Sequence, residues 1–269
     1  MREIDSSVIR DTVCALTIKA DYILPDEVLG LIKNEADGTL PGTLCGSIAE
    51  NAVISAEGKY PICQDTGMVT VYAEIGQDVH INGSFTDAVN AGVRDASEKG
   101  YLRRSVVADP FDRVNTGDNT PAIIYTDLVG GDGIHLTVLP KGFGSENKCA
   151  VRMLNPSDGV DGAVEFAVSA AVSAGASACP PMFIGVAVGG TFDGCAVLSK
   201  KALLMPEHEP TELEKRILDG INARGSGVQG MGGKTALRVN AIRYPTHIAG
   251  LPVAVCICCH ACRHAEATI

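Results

Sequence analysis

Residues 61–72 read Pro61-Ile62-Cys63-Gln64-Asp65-Thr66-Gly67-Met68-Val69-Thr70-Val71-Tyr72. A thiol, an amide, a carboxylate and a hydroxyl stand on consecutive residues, followed by a glycine that permits a sharp turn. Beyond the glycine comes an apolar run of strand character, while helical periodicity precedes the heptapeptide. The polar cluster is therefore expected on a loop at the start of a strand. Dense polar chemistry between apolar elements marks a candidate site, and the competing reading is a surface turn with an incidental cysteine.

Upstream, residues 6–58 carry three helix-like segments. Val8, Ile9, Val13, Leu16 and Ala20 fall at helical spacing, with Ser6 or Ser7 as the expected N-cap. Pro25-Asp26-Glu27 opens a second helix, and Leu44, Ile48 and Ala52 mark a third that ends near Gly58. Cys14 and Cys45 read as ordinary buried thiols. Downstream, strands are expected over 68–75 and 79–81, then a helix over 84–99 that stops at Gly100. Strands over 123–127 and 134–138 are joined by Gly130-Gly131-Asp132-Gly133, which reads as a hairpin connection. A small-residue helix over 161–176, a buried strand over 182–188, covering helices over 192–204 and 210–223, and strands over 235–244 and 251–257 complete the pattern. The fold class is mixed α/β: a helical N-terminal layer over about residues 1–58, packed on a mixed β-sheet body with covering helices. Residues 1–269 read as a single domain.

Bulk properties narrow the function. The chain has 269 residues, 46% apolar, no Trp and a formal charge of −10. That acidity argues against a general nucleic-acid binder, while local Arg and Lys can still form an anion pocket. Arg2, Asp5, Arg10, Asp11 and Lys19 interrupt any signal-like apolar core, and no run approaches membrane-span length. The expectation is a cytoplasmic protein that does not engage a membrane, in which ten cysteines are thiols or metal ligands rather than a disulfide framework.

Several further stretches carry chemistry. Arg103-Arg104 reads as a solvated edge or as the guanidinium forks of a dicarboxylate pocket. Lys141-Gly142-Phe143-Gly144-Ser145-Glu146-Asn147 could cradle an anion through backbone N–H groups. Gly225-Ser226-Gly227-Val228-Gln229-Gly230 matches G-x-G-x-x-G, yet it follows a helix and precedes a strand, the reverse of the dinucleotide context, so it reads as a ligand-lining loop. At the C-terminus, Cys256, Cys259 and Cys262 with His260 or His264 allow a zinc site, a haem-attachment string or a C-x-x-C redox pair. A fourth reading joins one of these thiolates with Cys63 and Cys179, far upstream, on three corners of an iron–sulfur cluster. The zinc spacings overlap within seven residues, the haem string stands without an export signal and no thioredoxin-like context precedes the redox pair, while spacing alone does not establish the fourth reading.

Seven motifs in order resemble the alpha subunit of the two-subunit iron–sulfur hydro-lyases, the class I fumarate hydratase and L-tartrate dehydratase family. They are the Cys63-Gln64-Asp65-Thr66-Gly67 segment; Leu102-Arg103 through Asn115-Thr116-Gly117-Asp118-Asn119-Thr120-Pro121; Lys141 to Asn147; Cys179-Pro180-Pro181 with 184–191; the 225–233 loop; Thr246-His247 through 255; and Cys259-His260-Ala261-Cys262-Arg263-His264. The resemblance implies a [4Fe–4S] cluster on Cys63, Cys179 and Cys259. Cys256, Cys258 and Cys262 depart from the family pattern, and Cys259 is the expected ligand because it directly precedes the His-Ala-x-Arg string.

The implied reaction is reversible hydration of a small dicarboxylate, fumarate to L-malate or the tartrate equivalent. By the same resemblance Gln64, Asp65 and Arg103 hold substrate oxygens, and Lys141, Gly142 and Gly144 line the anion site. His247 pairs with Asp65 near the leaving hydroxyl. The C–H base is expected on a separate beta subunit, in a heterodimer or heterotetramer.

Overall fold

A computed structural model describes residues 1–269. Chain contacts group these residues into two compact units. One comprises Met1–Pro25, Asn51–Phe143 and Arg263–Ile269; the other comprises Asp26–Glu50 and Gly144–Cys262.

The first unit is built on a four-stranded sheet of order β10-β5-β2-β4. Here β2 is Met68–Gly76, β4 Ile123–Val129, β5 Ile134–Lys141 and β10 Ala265–Thr268. β2 runs parallel to β4 and antiparallel to β5, so it separates the two strands expected to form a hairpin. The reason lies in burial. β2 is buried over most of its length and takes a central place, whereas β4 is mostly exposed and suits an edge. The Gly130–Gly133 connection instead spans the end of β2, where Gly76 N–H donates to the Gly133 carbonyl at 2.9 Å. A small parallel pair, β1 (Arg2–Asp5) and β3 (Val79–Asn82), adjoins this unit's helices.

Helices α1 (Ser6–Tyr22) and α4 (Phe85–Lys99) pack on each other, and α1 lies against β5 and β10. Ile9, Val13, Leu16 and Ala20 enter a core with Val71, Val89, Val93, Leu136 and Val138. Each fully buried Val or Ile contributes roughly 1.5–3 kcal/mol to this packing. The N-cap of α1 is Asp5 rather than Ser6 or Ser7. Asp5 holds extended backbone and its Oδ1 accepts the Ser7 N–H at 2.8 Å, which leaves both serines inside the first turn.

The second unit carries the sheet β6-β9-β7-β8, with β6 Ala150–Leu154, β7 Met182–Gly190, β8 Ala236–Thr246 and β9 Leu251–Cys258. Helices α6 (Gly159–Ala174) and α8 (Glu212–Arg224) cover one face, burying Ile184, Val186, Val253, Val255 and Ile257. α7 (Phe192–Ala202) covers the other over Ala187 and Ala254. Alternation along β9 therefore turns Val255 and Ile257 to one layer and Cys256 and Cys258 to the other. α2 (Asp26–Asn34) belongs to this unit. α3 (Leu40–Ala56) and the short α5 (Phe143–Glu146) each contain a unit boundary. The three helices expected over residues 6–58 are present, preceded by β1, and are divided between the units. No helix is long and apolar enough to cross a membrane.

Candidate active site

In the first unit the 61–67 loop is fixed from several directions. Ile62 N–H donates to the Asp21 carbonyl at 2.9 Å, and the Asn51 amide donates to the Ile62 carbonyl at 2.9 Å. Cys63 is half-buried, and its sulfur accepts the Asp65 N–H at 3.4 Å. The Asp65 carboxylate accepts two backbone N–H groups, from Gly67 at 3.1 Å and from Phe143 at 2.8 Å. Two glycines make this fit possible. Gly67 sits at φ +81°, where a Cβ would lie 2.5 Å from the Lys141 carbonyl; a Cβ on Gly142 would lie 2.9 Å from Asp65 Oδ2.

Thr66 is buried and clamps the next segment. Its hydroxyl accepts the Arg103 N–H at 2.9 Å and donates to the Arg103 carbonyl at 3.2 Å. The Arg103 side chain itself is exposed. Buried Asn119, at φ +62°, bridges from the Ser105 N–H at 2.9 Å to the Gly67 carbonyl at 3.1 Å. Beneath the loop, Arg263 donates to the Asp65 carbonyl at 2.6 Å and pairs with Asp21 at 3.0 Å, both side chains almost fully buried. Burial pushes the Asp21 carboxyl up to about 7, against the downward pull of Arg263.

In the second unit Cys179 follows a 3-10 turn in the left-handed region, φ +53°, with its residue exposed. A non-glycine residue held there is strained and must be fixed by its surroundings. The Cys179 carbonyl accepts the His260 N–H at 3.3 Å and lies 3.0 Å from the His260 ring Nδ1. The Pro180 carbonyl accepts both the backbone N–H and the side-chain amide of Gln229, at 3.2 and 2.7 Å. The 225–233 glycine loop is thus a brace for the Cys179 turn. Cys259, half-buried, stands just past the end of β9 beside His260. Cys256, Cys258 and Cys262 are buried.

Cys63, Gln64, Asp65, Arg103, Lys141 and Gly142 therefore belong to the first unit, with Lys141 buried and Gln64 exposed. Gly144, Cys179, His247 and Cys259 belong to the second. Within that unit the structure joins the Cys179 and Cys259 segments but does not bring His247 to them. His247 lies in the β8–β9 turn, where its Nδ1 accepts the Ala249 N–H at 3.1 Å. The whole of β9 intervenes between that turn and Cys259, an extended strand spanning on the order of 25 Å. His247 and Cys259 thus stand at opposite ends of β9. A cavity of about 580 Å³ opens at the His247 end, lined by Val160, Leu213, Ile248 and Leu251 with Arg216 and Arg243.

Sequence reading assigned no role to Asp21, Asn119, Gln229 or Arg263. Asp21 had one usable signal: it shares the buried side of α1 with Thr17 and Val13, four and eight residues earlier.

The chain matches a family model described as fumarate hydratase (Fumerase) over residues 10–268. It is 38% identical to a Methanocaldococcus jannaschii protein provisionally named L(+)-tartrate dehydratase subunit alpha, over 96% of each chain. It is 29% identical to the L(+)-tartrate dehydratase subunit alpha of Escherichia coli strain UTI89, covering 88% of this chain and 84% of that one.

Proposed function

Since this chain belongs to the fumarate hydratase (Fumerase) family, we propose that it is the alpha subunit of a [4Fe–4S] hydro-lyase that hydrates fumarate reversibly to L-malate. The observation that carries the reading is the strained, exposed Cys179 tied through its carbonyl to His260, the neighbour of Cys259.

Cys63, Cys179 and Cys259 fit the donor set of a cluster held on three corners. Each thiol is exposed or half-buried outside a regular element, while the competing C-terminal thiols are buried. When bound, such a cluster supplies Lewis acidity toward a substrate hydroxyl. Ten free thiols also accord with a reducing cytoplasm.

The chain's own residues then have definable tasks. The exposed Arg103 fork receives a substrate carboxylate bidentately, and the Gln64 amide adds a hydrogen bond. Lys141 and the Gly142 and Gly144 backbone favour a dianion electrostatically. Asp65, its carboxylate oriented by Gly67 and Phe143, exchanges the proton of the departing hydroxyl. The C–H base is assigned to a beta subunit, in accord with the "subunit alpha" names of the relatives. His247 enters this scheme only from a second copy of the chain, because its own strand carries it away from Cys259.

The names of the relatives favour a second substrate, L(+)-tartrate, which differs from malate by one hydroxyl. Anaerobic reconstitution with the partner subunit, assayed on malate and on tartrate, separates the two. Cys63→Ser is expected to lose cluster absorbance and turnover together; a variant with full hydratase turnover would refute the ligand assignment.

A further inference from the structure

A second group of metal-ligating side chains, made of residues other than Cys63, Cys179 and Cys259, lies under α7. In the β6–β9 ladder Ala150 faces Val255, so Cys149 and Cys256 stand opposite each other one step along. Their sulfurs are 3.6 Å apart. Glu146 joins them: its Oε2 is 4.0 Å from the Cys149 sulfur, and one ligand atom from each residue falls within 4.8 Å of the others. We propose that Glu146, Cys149 and Cys256 bind one divalent cation of the zinc class, in a site separate from the catalytic one.

Three observations carry this beyond a chance meeting of thiols. First, tetrahedral zinc with bonds of about 2.3 Å holds two thiolates about 3.8 Å apart, close to the spacing here. Second, Ile257 donates its N–H to the Cys149 sulfur at 3.3 Å, which fixes that sulfur in place beside Cys256. Third, Lys200 of α7 holds the other Glu146 oxygen, Oε1, at 2.6 Å and leaves Oε2 turned toward Cys149. A hydrogen bond that orients a carboxylate in this way is the usual support behind a metal ligand. The charges also close: two thiolates and a carboxylate balance a divalent cation and one ammonium. Loading releases the two thiol protons to solvent. The bound cation would staple the Gly144–Cys149 segment to β9 and, through Lys200, to α7.

The test uses the full chain in a Cys63→Ser/Cys179→Ser/Cys259→Ser background, so that the thiols of the proposed cluster cannot take metal and the result does not depend on the hydro-lyase reading. Anaerobic titration with cobalt(II) should give one cobalt per chain with a thiolate-to-cobalt charge-transfer band, displaced by zinc. Cys149→Ala should abolish the band with circular dichroism unchanged. Lys200→Met should weaken binding about tenfold or more, while keeping the band. A band that persists in Cys149→Ala overturns the site. So does the absence of stoichiometric cobalt, or recovery of Cys149 and Cys256 as a disulfide under these reducing conditions.

Discussion

Phe143 gives its backbone N–H to the Asp65 carboxylate at 2.8 Å, across 78 residues of chain. The contact depends on Gly142, whose missing side chain leaves room for Oδ2. Gly142→Ala sets a methyl 2.9 Å from that oxygen, closer than real Cβ contacts, and must displace the carboxylate. The strand that ends at Lys141 is untouched, so the thermal midpoint should move little. Turnover should fall roughly 100-fold, the usual cost of moving a catalytic group by about 1 Å. Steady-state kinetics beside a melting curve checks it; unchanged kcat would remove Asp65 from the chemistry.

Asp21 gives the first unit a pH dependence whose sign can be worked out. Arg263 faces it at 3.0 Å and the Asp65 charge adds to the upward push of burial, which brings the folded carboxyl to about 7 from 3.8. A folded value above the unfolded one means the native state binds the extra proton. This contribution is complete below about pH 4, declines as pH rises, and is gone above about 7. Its ceiling is about 4 kcal/mol. Urea midpoints should therefore fall between pH 5 and pH 8 for the natural chain and stay flatter for Asp21→Asn. A natural midpoint that rises over that interval relative to the variant would reverse the assignment.

The parts of the fold that were legible are those whose partners lie close in sequence. Ser84 and Gly100 bracket α4 because capping is local, and the uninterrupted apolar runs of β7 and β9 announce buried strands. The 130–133 turn misled because glycines show that a chain turns, not which strand it meets; β2 competed for the place beside β5 and took it. The same limit governs the site. Cys63, Asp65 and Arg103 lie in motifs that carry the family resemblance. Asp21 and Arg263 are paired only by the fold, and so are Cys149 and Cys256, 107 residues apart. No local pattern encodes such pairs.

The ten thiols should differ sharply in reactivity. Cys179 is exposed, whereas Cys195 is fully buried on the inner face of α7, against Ala187 and Ala254, and burial pushes its thiol up to about 11. Burial raises Cys14 and Cys45 as well. Thiolate is the reactive form, so iodoacetamide on the native apo-chain should modify Cys179 first, and Cys195 only on unfolding. Timed alkylation read by peptide mass spectrometry decides it. Labelling of Cys195 as fast as Cys179 would mean that α7 opens readily.

The place of His247 makes the proposed assembly testable. An extended β9 holds this residue on the order of 25 Å from Cys259 of its own chain. If His247 serves the reaction, the imidazole acting beside one chain's thiols is the other chain's. A Cys63→Ser chain and a His247→Ala chain should then be nearly inactive when each is assembled alone with the partner subunit. Mixed before assembly, they form pairs in which one of the two sites draws an intact Cys63 and an intact His247 from different chains. Random pairing in a two-fold assembly restores about one quarter of natural activity. Mixtures as inactive as the parents would exclude exchange of this residue between copies. Full activity in the His247→Ala chain alone would show that the imidazole has no part in the chemistry.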